Sequence, residues 1–89
     1  MTRSEIMEFR RLRRRHIMHG IGSIGDVRGY MRLARDAEEF IHGLADDCER
    51  RVMEEIYLRG MTAIEASMKL YYSERQLRRI HARVLSRME

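Results

Sequence analysis

The chain contains no proline, and outside one short patch it has little glycine, so few positions interrupt a helix. It has a single cysteine, Cys48, which excludes an intramolecular disulfide. No apolar run approaches the length of a signal peptide or a membrane span, and the expectation is a soluble, cytoplasmic protein with no membrane partner. Catalytic constellations are missing too. No Ser/His/Asp arrangement and no supported carboxylate pair can be assembled, and 89 residues leave a core too small for a fold and a buried cleft together. The expectation is therefore that the chain is not an enzyme. A phosphate-cradling loop ends in Lys-Ser or Lys-Thr, which does not occur, so the glycines of "HGIGSIGD" (residues 19 to 26) read as a hinge. His16 and His19 stand at i, i+3 without an acidic or thiolate partner, so neither a metal nor a cofactor is expected.

What the chain does contain is Leu, Met, Ala, Arg and Glu in excess over β-branched residues, a composition that favours helix because these side chains lose little rotamer freedom there. Net charge is +4, and 17 of the 18 basic residues are Arg. The charge is uneven. Residues 1 to 20 hold six Arg against two acids and residues 60 to 89 hold six bases against three, whereas residues 21 to 59 hold six Arg against nine acids. Basic ends imply a polyanionic partner, and arginine suits bidentate contact with phosphate and guanine.

A first helix is expected from about Ser4 to Met18, with Ile6, Phe9, Leu12 or Arg13, and Ile17 as a ragged apolar stripe. Arg10 to Arg15 form a basic cluster on it, either a helix or a basic arm within residues 1 to 20. After the glycines, Ser23 with Asp26 has the spacing of a capping box. From Asp26 to Leu44 the residues Val27, Tyr30, Ala34, Ala37, Ile41 and Leu44 follow a 3-4-3-4-3 spacing, the seam of a helix packed on a neighbour. That segment (26 to 44) supports the domain in an intramolecular hairpin or pairs two copies as a homodimer. Asp46 with Glu49 opens a third helix bearing Cys48, Val52, Met53, Ile56 and Tyr57 on one side, with Cys48 read as buried and Gly60 as the stop. Thr62 with Glu65, and Ser73 with Gln76, give two more capping boxes. The fold class is all-α: one domain, residues 1 to 89, of four to five helices.

The last two helices are short, joined by a tight turn, and the second is rich in arginine, which reads as a helix-turn-helix. At 100° per residue, Leu77, Ile80, His81, Val84, Leu85 and Met88 fall on one side of residues 73 to 88, and Arg75, Gln76, Arg78, Arg79, Ala82, Arg83 and Ser86 on the other. The arginines form one surface.

Residues 46 to 88 also resemble the fourth conserved region of sigma-70-type factors and, more closely, the sigma-region-4-like RinA and ArpU phage late-gene activators. The resemblance rests on Arg50, Val52, Tyr57, Gly60, Glu65, Leu70, Tyr72-Ser73, Arg75, Leu77, Arg79, Ile80-His81 and Val84-Leu85. It implies a sequence-specific regulator of transcription that binds double-stranded DNA, often phage or prophage encoded. Carried onto this chain, it implies base reading by Arg75, Gln76 and Arg79, phosphate contacts from Arg78 and Arg83, and caps at Thr62 and Ser73 with a phosphate hydrogen bond from Thr62. Tyr71 departs from the family's turn glycine, so either the turn is shaped differently or packing of the ring offsets the strain of a positive φ. Ser67 stands for the usual alanine. Two rival readings stand beside this one: an adaptor that binds RNA polymerase and touches DNA weakly, and the DNA-recognition small subunit of a phage terminase.

Overall fold

The computed structural model describes all 89 residues, which form five helices and no strand. They are α1 (Arg3–His19), α2 (Val27–His42), α3 (Asp47–Met53), α4 (Ala63–Leu70) and α5 (Glu74–Ser86); a 3-10 turn (Ile21–Ser23) precedes α2, and a π-helical turn (Glu54–Leu58) extends α3.

Helix starts follow local chemistry. Thr2 caps α1 in a full capping box with Glu5, one residue before the expected start, and Thr62 does the same for α4 with Glu65. Asp26, Asp46 and Ser73 each accept a hydrogen bond from the backbone N–H three residues on, satisfying one orphan donor apiece. Of the boxes read from spacing, those at Asp46 and Ser73 are thus only half formed and that at Ser23 is absent. Ser23 does not cap α2 at all, because its hydroxyl donates to Gly20 O at 2.8 Å within the 3-10 turn. Glu49 does not fold back to Asp46, because two arginines of the C-terminal segment engage its carboxylate. Gln76 makes no side-chain bond to Ser73.

The core is built from Ile6 and Phe9 of α1, Tyr30, Leu33, Ala37 and Ile41 of α2, Val52, Met53, Ile56 and Tyr57 of α3 and its extension, Ala66 of α4, and Leu77, Ile80 and Val84 of α5. The seam of α2 is therefore spent inside the chain, against α1 and the π turn, with Leu33 added to it. Phe9 and Tyr30 stack with ring centres 6.0 Å apart. Cys48 is exposed, contrary to its expected burial: it lies on the Val52 side of α3 but in the helix's first turn, at the rim of the core rather than in it.

Residues 3 to 19 are a docked helix with both ends tied down. Arg3 donates from its backbone N–H to Glu89 O at 2.7 Å and from Nε to Leu85 O at 3.1 Å, closing the N-terminus onto the end of α5. At the other end Arg13 Nε donates to Leu58 O at 2.9 Å and Arg14 to Gly60 O at 2.9 Å. Those carbonyls belong to the end of the π turn, where helix geometry leaves acceptors unpaired and cations are favoured. Gly60 has φ 72° there, a left-handed conformation that favours glycine; a Cβ on it would meet only the movable Cδ1 end of the exposed Ile17 side chain.

Candidate nucleic-acid interface

The turn between α4 and α5 sets how α5 is presented. Tyr71 is left-handed, at φ 59° and ψ 34°, while Tyr72 N–H donates to Ser67 O at 3.0 Å and Tyr71 N–H reaches Met68 O at 3.4 Å. This is the Schellman ending that glycine normally supplies. The turn thus keeps its expected shape, but the second way out of the strain fails as well: the Tyr71 ring is 95% exposed and packs on nothing. Its left-handed backbone costs about 1 kcal/mol with no compensating burial.

From Ser73 onward α5 buries Leu77, Ile80 and Val84 and half-buries His81 and Leu85. Arg75, Gln76, Arg78, Arg79, Ala82, Arg83 and Ser86 are all exposed on its other side. His81 Nε2 and the Tyr57 hydroxyl are 2.7 Å apart in a hydrogen bond that ties α5 to the π turn. Burial, with the positive charges of Arg10 and Arg78, pushes His81 down to about 4, so the ring is neutral at physiological pH. The helix is held by its back.

The exposed cations fall into two kinds. Arg75 and Arg79, one helical turn apart, make no ion pair and no side-chain hydrogen bond, and the Gln76 amide between them is equally free. Arg78 pairs with Glu74 at 2.7 Å, an exposed i, i+4 contact that holds weakly and can yield to a phosphate. Arg83 differs. Its Nε donates to Glu49 Oε2 at 2.8 Å, and Arg87 donates to both oxygens of the same carboxylate at 2.8 and 2.6 Å. Glu49 is 4% exposed, and the hydrogen bonds from Arg87, reinforced by Arg83 and opposed by burial, hold its carboxyl at about 2. Arg83 is therefore a clamp between α5 and α3 before it is anything else, and Arg87, absent from the sequence reading, is its partner.

Thr62 is half-buried, with its hydroxyl oxygen accepting from Glu65 N–H at 3.1 Å; Ser73 is exposed and accepts from Gln76 N–H at 3.1 Å. Both predicted cap residues are caps. Arg51, which the spacing did not single out, is exposed on α3 and lies near Tyr72, where its charge acts on the phenol. Beside α5, Ile64, Met68 and Tyr71 expose 56%, 73% and 95% of their surface at i, i+4, i+7 along α4 and its cap. No cluster of three side chains able to hold a metal ion occurs, and no helix is long and apolar enough to cross a membrane.

Comparisons with protein-family models, with curated proteins and with solved structures find no match to this chain.

Proposed function

We propose that α4, the Tyr71–Ser73 turn and α5 act as a helix-turn-helix that binds double-stranded DNA, and that the chain is a sequence-specific transcriptional regulator, phage or prophage encoded and working in the cytoplasm. One observation carries this reading: on a helix whose inner face is locked into the core, Arg75, Gln76 and Arg79 stand together, exposed and without internal partners. Arg11, Arg13, Arg14, Arg50, Arg59, Arg83 and Arg87 are neutralised by acids or held on carbonyls. Arg15, Arg28, Arg32, Arg35 and Arg51 are unpaired as well, but none of them lies on the helix that follows the tight Tyr71–Ser73 turn. The family resemblance of residues 46 to 88 points the same way.

In the mechanism, phosphate neutralisation by Arg78, and by Arg51 beside the turn, supplies affinity independent of sequence. Arg75 and Arg79, in the first two turns of α5, reach base edges in the major groove, where a guanidinium pairs bidentately with guanine O6 and N7. Gln76 suits adenine N6 and N7. Thr62 and Ser73 start the two helices at the backbone side and offer their hydroxyls and first-turn N–H groups to phosphates. Arg83 is not counted among the phosphate contacts, since Glu49 already holds it.

Fluorescence anisotropy with labelled duplex DNA at two salt concentrations tests the reading. Binding that weakens steeply with salt is expected, and absent or salt-insensitive binding removes it. A second reading is favoured by the exposed Ile64, Met68 and Tyr71, an apolar stripe suited to a protein surface: an adaptor bound to RNA polymerase. Co-purification with polymerase from nuclease-treated lysate, without intrinsic DNA affinity, selects that reading.

A further inference from the structure

The outer face of α2 has a pattern of its own. Arg28, Met31, Arg35, Glu38 and His42 recur at 3-4-3-4 spacing and all are exposed, Met31 to 62%. This is a second stripe, about 100° round the helix from the seam that faces α1. Neither Arg28 nor Arg35 forms an ion pair within the chain, and neither does Glu38. The order of charges is also adverse for an isolated helix. Arg28 sits in the first turn and Glu38 and Glu39 toward the end, each against the helix dipole, offset only by the Asp26 cap and His42. Beside Met31 lies an open cavity of about 430 Å³ walled in part by Ile21, Tyr30 and Ala34.

From this we infer that the outer face of α2 is a self-association surface and that its occupant is α2 of a second copy, antiparallel across a two-fold axis. Antiparallel pairing of the spacing sets Arg28 against Glu38 of the other copy, twice by symmetry, and Met31 against the aliphatic stem of Arg35, again twice. Arg28 and Glu38, unmatched in one chain, become matched in two, while Arg32 and Arg35 keep their guanidinium heads at the solvent edge, and the two helix dipoles oppose each other. The apolar contribution is Met31 entering the concavity beside its counterpart, with the arginine stems laid over it. A parallel copy brings Arg28 near Arg28 and Glu38 near Glu38, which disfavours it. One pair of 16-residue helices lies at the small end of specific interfaces, so a dissociation constant in the range of about 1 to 100 µM is expected. The surface is distinct from the α5 arginines: α2 packs mainly on α1 and the π turn, whereas α5 packs on α3 and α4.

The test is static light scattering after size exclusion, in the absence of nucleic acid, on the whole chain at roughly 10 to 300 µM. The wild type is expected to move from 10.7 kDa toward twice that mass over this range. Arg28→Glu and Glu38→Arg should each raise the midpoint at least about tenfold. The double variant R28E/E38R, which exchanges the partners without changing the net charge, should return it to within about threefold of the wild type. Each single change places its new charge in the direction the helix dipole favours, so thermal unfolding of the variants should not fall, and misfolding is thereby told apart from lost association. A wild type that stays monomeric at the highest concentration overturns the inference, as does a dimer indifferent to both single changes. If the wild type is monomeric and Arg28→Glu instead weakens DNA binding, the stripe is a backbone contact and the inference is equally overturned.

Discussion

Two arginine-rich helices bracket this chain, and the structure uses them in opposite ways. On α1, Arg10 lies over the Tyr57 ring at 5.7 Å, Arg11 pairs with Glu8, and Arg13 and Arg14 donate to the carbonyls of Leu58 and Gly60. Of the cluster from Arg10 to Arg15, Arg15 alone has no internal partner. On α5 the first two turns leave Arg75 and Arg79 free, and the engaged cations, Arg83 and Arg87, gather toward the C-terminal end. Density of arginine therefore does not measure availability to a ligand. What separates the helices is whether an unpaired acceptor lies within reach: the end of the π turn offers carbonyls to α1, and Glu49 offers a buried carboxylate to the end of α5, while nothing faces the start of α5.

The sharpest way to break this comparison is to remove the free pair. The double variant R75A/R79A should lose about 2 to 5 kcal/mol of binding free energy on its preferred duplex, less than fully additive because the two lie one turn apart, and flatten discrimination among sequences. Its unfolding free energy should stay within about 0.5 kcal/mol of wild type. The complementary change is Arg13→Met, which keeps the stem but leaves the Leu58 carbonyl and the Tyr30 hydroxyl short of a donor. It should cost about 1 to 3 kcal/mol of stability in urea denaturation while DNA affinity of the folded protein is retained.

Acidification probes the join between the two halves. The unfolded chain protonates His81 near 6.5, but the folded ring resists until about 4, so the unfolded state binds more protons in between and stability falls as pH drops through that window. The loss at pH 4 should be about 1 to 2 kcal/mol once partial exposure of the ring is discounted, and His81→Gln should flatten this part of the curve. Glu49 extends the decline below its unfolded 4.5, because its folded carboxyl stays ionised down to about 2. The smallest expected effect concerns the turn. Tyr71→Gly should raise stability by about 1 kcal/mol, since it relieves the left-handed strain and forfeits no buried surface. A loss of stability instead would mean that the exposed ring packs in solution.

Much of the architecture is legible from the residues because it is decided locally. The caps at Thr62 and Ser73, the stop at Gly60 and the two sides of α5 follow from turn chemistry and a 3.6-residue period, which act within a few positions. Thr2 with Glu5 carries the same signature and was equally readable. The misreadings share a different cause. Glu49 has the spacing of a capping residue, yet arginines 34 and 38 positions away outcompete the local bond. Ser23 likewise has a nearer acceptor in its own 3-10 turn. The π turn, which brings the Leu58 and Gly60 carbonyls to α1, has no periodic signal, so the capture of Arg13 and Arg14 was invisible. Of the candidate site, Arg75, Gln76 and Arg79 needed only the helical wheel; separating Arg83 from them needed the position of Glu49.

If the α5 arginines are the ones that meet phosphate and base, the salt dependence of binding reports it directly. Anisotropy titrations over a salt series should give a negative slope of log Kobs against log salt for the wild type, with Arg14→Ala leaving that slope unchanged and R75A/R79A reducing its magnitude by about 1 to 2. Equal slopes for wild type and R75A/R79A, or a larger reduction in Arg14→Ala, would contradict it.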